Sequence, residues 1–87
     1  MTADNCEFSA NKFRGVTVMN GGHQLTLVRS ACNDNGMHGF NAHGQGSGLA
    51  AEHSCALGNK EANAVEEQGG SITCHECDLG GQAVMKV

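Results

Sequence analysis

Short stretches of alternating apolar and polar residues recur along the chain at an almost constant interval. In Leu25-Thr26-Leu27-Val28, Leu49-Ala50-Ala51 and Ile72-Thr73-Cys74 the period of two turns the leucines and the isoleucine to one side of an extended chain and the threonines to the other. The step from Leu49 to Ile72 is only one position shorter than the step from Leu25 to Leu49. A second set of short stretches lies out of phase with the first: Gly15-Val16-Thr17-Val18, Gly39-Phe40-Asn41-Ala42, Asn63-Ala64-Val65 and Gln82-Ala83-Val84-Met85. Polar, glycine-rich corners separate the second set from the first, at Asn20-Gly21-Gly22-His23, His43 to Gly48 and Glu66 to Ser71. Glycines interrupt every window long enough for a helix, at a cost of about 1 kcal/mol each in a helix interior. Strand, corner, strand, corner, with no helix between, predicts a coil in which each strand pairs in parallel with its counterpart one turn later. In the second set Phe40, Asn63 and Ala64 align in two ways one residue apart, and the pattern alone leaves both open.

Cys6, Cys32, Cys55 and Cys77 repeat at intervals close to those of Leu25, Leu49 and Ile72. Equal positions in successive coils predict a ladder with ~4.8 Å between rungs, in which free thiols act as small buried hydrophobes. A fifth cysteine, Cys74, makes the number odd, so a complete set of internal disulfides is impossible. Free thiols favour a reducing, cytoplasmic compartment, and the chain carries no signal peptide pattern.

Composition narrows the picture. Thirteen glycines, three phenylalanines and no proline, tryptophan or tyrosine among 87 residues describe one domain over residues 1–87 with thin layers of small side chains. Net charge is −4, and the five basic residues do not cluster, which argues against nucleic acid, whose phosphates need a basic footprint. No apolar run approaches the ~20 residues of a membrane span.

The repeating phrase, clearest in Cys6-Glu7-Phe8-Ser9-Ala10-Asn11-Lys12-Phe13-Arg14-Gly15-Val16-Thr17-Val18, resembles the repeat of right-handed parallel β-helix proteins, the pectin-lyase-like superfamily. The fold class expected is therefore all-β, a short right-handed parallel β-helix (β-solenoid) of about 3.5 coils of about 22–26 residues, either a fragment or a minimal member. The resemblance implies binding or modification of carbohydrate; it specifies an architecture rather than one activity.

Candidate chemistry is sparse. Glycoside hydrolysis needs paired carboxylates, but Asp4, Asp34 and Asp78 occupy different points of the repeat, and no catalytic residue is assigned. Cys74-His75-Glu76-Cys77, with His53 one turn earlier, gives a candidate zinc set of His53, Cys74, His75 and Cys77, set against a core reading in which Cys74 faces inward and Cys77 joins the ladder. Placing Leu49 over Ile72 stacks Glu52 near His75 and His53 near Glu76, a cluster that either binds a cation or is a solvated face. Asn33, Asn35, Asn41, Asn59 and Asn63 suggest amide stacking between coils; on an exposed face they would hydrogen-bond sugar hydroxyls. Gly44-Gln45-Gly46-Ser47-Gly48 has no helix behind it and reads as a corner rather than a phosphate cradle. No cofactor is expected.

The functional expectation is a non-enzymatic structural or interaction solenoid. Its apolar last strand and short N-terminal segment, Met1 to Asn5, predict a homo-oligomer joined through terminal strands or sheet faces. The alternatives are a carbohydrate-binding or carbohydrate-modifying fragment and a small zinc-binding module.

Overall fold

The computed structural model describes residues 2–19 and 24–87; the corner expected at Asn20 to His23 lies outside the described residues. The elements are β1 (Thr2–Asp4), β2 (Val16–Val18), β3 (Gln24–Val28), β4 (His38–His43), β5 (Gly48–Glu52), β6 (Ala62–Glu67), β7 (Ser71–His75) and β8 (Met85–Lys86). They alternate between two parallel four-stranded sheets, β1-β3-β5-β7 and β2-β4-β6-β8. This is an all-β solenoid of about three turns, and none of the described residues is helical.

The register fixes the coil. Thr2 pairs with Thr26, Leu25 with Leu49 and Leu49 with Ile72, so the first two coils are equal in length and the third is one position shorter. Phe40 pairs with Ala64 and Asn41 with Val65, which settles the alignment that the sequence left open. A third side, between the two sheets, is held by single parallel bridges in the column Glu7, Ala31, Cys55 and Asp78.

Apolar side chains from all three sides meet in one core. Leu27, Leu49, Ala51 and Ile72 come from the first sheet, Val16, Val18, Phe40, Ala42 and Ala64 from the second, and Cys32 and Ala56 from the bridged side. Phe40 is the largest fully buried side chain. Leu49, 2% exposed, lies between Leu25 and Ile72 in its column. Leu49→Asp is expected to abolish the cooperative melt, because an unpaired buried carboxylate costs several kcal/mol; a variant melting like the natural protein in circular dichroism would show that this column does not face the core.

Two expectations are corrected, for the cysteines and the last strand, and one strand is added at the N-terminal end. The four cysteines do not form a ladder: Cys55 pairs with Ala31 and Asp78, and of the three cysteine spacings the first is longer and the other two are shorter than the coils they span. A one-residue slip exchanges the faces of an extended chain. Cys32 is accordingly buried, Cys6 exposed, and Cys55 and Cys77 half-buried. The segment before Asn5 is a strand, β1, paired to β3. In the last coil only Met85 and Lys86 pair, with Val65 and Glu66, although Val84 packs against the core. The step from Val65 to Met85 is shorter than the one from Asn41 to Val65, so Gln82 and Ala83 cross the corner instead of joining the strand.

The stacking of amides between coils is present inside the second corner. Asn11 Nδ2 donates to Asn35 Oδ1 at 3.1 Å and Asn35 Nδ2 to Asn59 Oδ1 at 2.8 Å, each from one coil to the next, and within its own coil Asn59 Nδ2 donates to Asn63 Oδ1 at 2.9 Å. The same oxygens accept backbone N–H groups, Asn11 N on Asn35 and Asn35 N on Asn59. Gly39 passes so close to this row that a Cβ there would lie 2.6 Å from Asn59 Nδ2.

Candidate functional site

The most differentiated surface follows the corner at which the chain leaves the first sheet. Asn5, Arg29, His53 and Glu76 occupy this corner in successive coils, all left-handed, with φ of 56°, 47°, 49° and 52°. Non-glycine residues adopt that conformation infrequently, yet four do so in register, because a single left-handed residue reverses the chain tightly enough to return it over the coil below. The next column, Cys6, Ser30, Ser54 and Cys77, folds back on the strand just left. Each side chain donates to the carbonyl two residues before it: Cys6 Sγ to Asp4 O at 3.4 Å, Ser30 Oγ to Val28 O at 2.9 Å, Ser54 Oγ to Glu52 O at 2.9 Å and Cys77 Sγ to His75 O at 3.5 Å. Cys6 N and Ser30 N donate in turn to the hydroxyls of Ser30 and Ser54, so the serines tie one coil to the next.

These columns and the bridged one line a groove of about 670 Å³ along the corner. Its charges are arranged in pairs. Arg29 Nη2 donates to both carboxylate oxygens of Asp4, at 2.7 and 2.6 Å; half-exposed as both are, the pair is worth at most about 1 kcal/mol. Glu76 Oε2 lies 3.5 Å from His53 Nδ1 and 3.8 Å from His75 Nε2, and the two imidazole rings meet edge to face, their centroids 6.1 Å apart. Glu52 pairs with His75 in the sheet, so the expected cluster of Glu52, His53, His75 and Glu76 does assemble, as an exposed acid and imidazole face.

The proposed zinc set does not converge. Cys74 lies in the column of Leu27 and Ala51 and packs against the core, whereas His75, one residue on, points to solvent as the alternation of a strand requires. Among the described residues, no group of three or more His, Cys, Asp or Glu side chains is disposed to hold a metal ion. Burial pushes the Cys74 thiol up to about 11, and its neighbour Cys77 adds to the effect.

A second, smaller groove of about 330 Å³ runs over the outer face of the first sheet, floored by Gln24, Gly48 and Ser71 and by Thr26, Ala50 and Thr73. It offers hydroxyls and small side chains but no ring for a sugar to stack on. The asparagines expected for sugar contacts are spent inside: Asn35, Asn41, Asn59 and Asn63 are buried, and Asn33 Oδ1 accepts from Leu57 N. His38 Nδ1 and Asn41 Oδ1 are buried without a hydrogen-bond partner, but neither residue lines either groove. Acidic side chains elsewhere serve the backbone and the amides: Glu66 Oε2 accepts from Ile72 N at 2.7 Å and Glu67 Oε1 from Asn41 Nδ2 at 2.7 Å.

Sequence reasoning found the histidine and glutamate cluster because it follows directly from placing Leu49 over Ile72. It missed the left-handed corner and the folded-back column. Asn5 was the one available signal at the corner, and Arg29, His53 and Glu76 gave none. Compared with known proteins, the chain matches no family model, no curated protein and no solved structure.

Proposed function

We propose that this solenoid is a structural or interaction module that acts through self-association rather than catalysis. The observation that carries the reading is the edge strand β7. It has five residues, and its N–H and C=O groups on the side away from β5 have no strand beside them among the described residues. It contains no proline, bulge or lysine, the devices by which natural edge strands deter pairing. In the other sheet, where β8 pairs with β6, Met85 and the following Val87 expose apolar surface, at 49% and 73%. A second copy supplies ladder partners through a terminal strand, or packs side chain to side chain through a flat sheet face. Light scattering on the 87-residue chain at tens of micromolar is the test: a mass that is a multiple of 9.0 kDa is expected, and a stable monomer overturns the reading.

Carbohydrate binding is the second reading, supported by the resemblance of the repeat to pectin-lyase-like proteins and by the hydroxyl-lined groove over Thr26 and Thr73. Binding to a polyuronate or glycan array that is lost in T26V/T73V would favour it over self-association. Absence of binding across the array would remove it.

A further inference from the structure

We infer that Cys74 and Cys77 are a redox pair that closes reversibly into an intramolecular disulfide across the last left-handed corner. The repeat itself supports this. Two positions flank that corner in every coil, one at the inward-facing end of the strand and one just past the turn, and they are occupied by Ala3 and Cys6, Leu27 and Ser30, Ala51 and Ser54, and Cys74 and Cys77. Only the last coil places sulfur at both.

The corner brings the two positions together. With Glu76 at φ 52°, the chain reverses within two residues, and the side chain past the turn folds back onto the strand it has left. Cys77 Sγ lies 3.5 Å from His75 O and 3.3 Å from Ala51 O, and Ala51 is the residue paired with Cys74 in the sheet. Both cysteines pack against the core, and the Cys77 thiol lies close enough to Cys74 to raise its pKa beyond what burial alone does. Ser30 and Ser54 use the same geometry to hold a carbonyl; two thiols in those places have a bond to form.

The oxidant class is a low-molecular-weight disulfide such as oxidised glutathione. Cys77, as thiolate, attacks one of its sulfurs, forming a mixed disulfide and releasing one thiol. Cys74 then loses its proton and attacks the Cys77 sulfur, closing the protein disulfide and releasing the second thiol. Two protein thiols give up two electrons and two protons, and one small disulfide becomes two thiols. Because burial raises the Cys74 thiol above its ordinary value, closure is slow at neutral pH and accelerates roughly tenfold per pH unit while that thiol remains mostly protonated. The closed form fastens the end of β7 to the segment beyond the corner, so oxidation state sets how firmly the edge strand is held. The pair stands independently of whether the chain self-associates.

The test is to incubate the 87-residue chain with oxidised glutathione at pH 8, quench with an alkylating agent and measure intact mass. The expected product is two hydrogens lighter than the reduced chain and has two fewer alkylatable thiols than the original five, with the link mapped to Cys74 and Cys77 by proteolysis. Cys74→Ser should stop at a glutathione adduct on Cys77, and Cys55→Ser should close as the natural chain does. A glutathione adduct that persists on Cys77 or Cys74 of the natural chain, a link from either to Cys55 or Cys6, or a disulfide between chains through either would each overturn the assignment, whereas an adduct on the exposed Cys6 is expected in every variant.

Discussion

Replacing Asn59 with leucine, a side chain of similar size and greater hydrophobicity, is expected to unfold the protein. Asn59 is the centre of the amide row. Its Oδ1 accepts both the backbone N–H and the Nδ2 of Asn35, at 2.9 and 2.8 Å, and its Nδ2 donates to Cys32 O at 2.9 Å as well as to Asn63 Oδ1. Leucine satisfies none of these. The Asn35 backbone N–H, one N–H of its amide, whose other donates to Phe8 O, and the Cys32 carbonyl would be left buried and unpaired at about 1 to 3 kcal/mol each, against a total of about 4 to 13 kcal/mol for a chain of this length. Packing gives no relief, because Gly39 already touches the amide and a branched side chain would need that space. Urea unfolding is the measurement: N59L should show no folded baseline or lose at least ~3 kcal/mol, while Lys60→Leu at the exposed neighbouring position should stay within about 0.5 kcal/mol of the natural protein. An N59L protein as stable as its parent would mean that the amide row is incidental to the fold.

That row shows where the sequence was legible and where it was not. The strand columns could be read because Leu25, Leu49 and Ile72 signal both burial and period, and the coil lengths they imply are those observed. Asn11, Asn35 and Asn59 repeat at the same interval as Leu25 and Leu49, so their alignment was equally available, yet Asn35-Gly36 also spells a turn, and local chemistry alone does not separate a surface turn from a buried amide. Asparagine is usually exposed; here burial is tolerated because each amide is paired with the next. The cysteines misled for the opposite reason. Their intervals resemble the coil length without equalling it, and in a strand a discrepancy of one residue is a change of face. The left-handed corners were least legible, since Ala10, Arg29, His53 and Glu76 have no local preference for that conformation and adopt it only because stacked coils require it. The groove along the corner follows from that geometry, which explains why its acid and imidazole members could be paired in advance while its shape could not.

Stability is expected to fall steeply as pH rises from about 9 to about 12, with Cys32 the largest single cause and Cys74 adding to it up to about 11. Its side chain is fully enclosed, and burial, followed by the neighbouring Cys55, pushes its thiol up from 9.0 to about 12. A group whose proton is held more tightly when folded stabilises the fold below its unfolded value. Above pH 9 the unfolded chain releases this proton while the folded chain keeps it, so the unfolded state binds fewer protons and stability drops with each further unit until the folded thiol also ionises near 12. At ~1.4 kcal/mol per unit the loss approaches ~4 kcal/mol, a large part of the whole. The chain has no tyrosine to titrate in this window, and its lysines, Lys12, Lys60 and Lys86, are exposed and common to any variant compared. Cys32→Ala isolates the effect, because Ala56 already fills the equivalent place one coil on without exposure. Urea unfolding under reducing conditions at pH 7.5, 9, 10 and 11 should show the natural protein losing stability progressively above 9, with C32A, somewhat weaker at neutral pH, declining by roughly half as much, the remainder belonging to Cys74, whose thiol is raised to about 11. Parallel declines in the two proteins would place the alkaline sensitivity elsewhere and would contradict the enclosed position of this thiol.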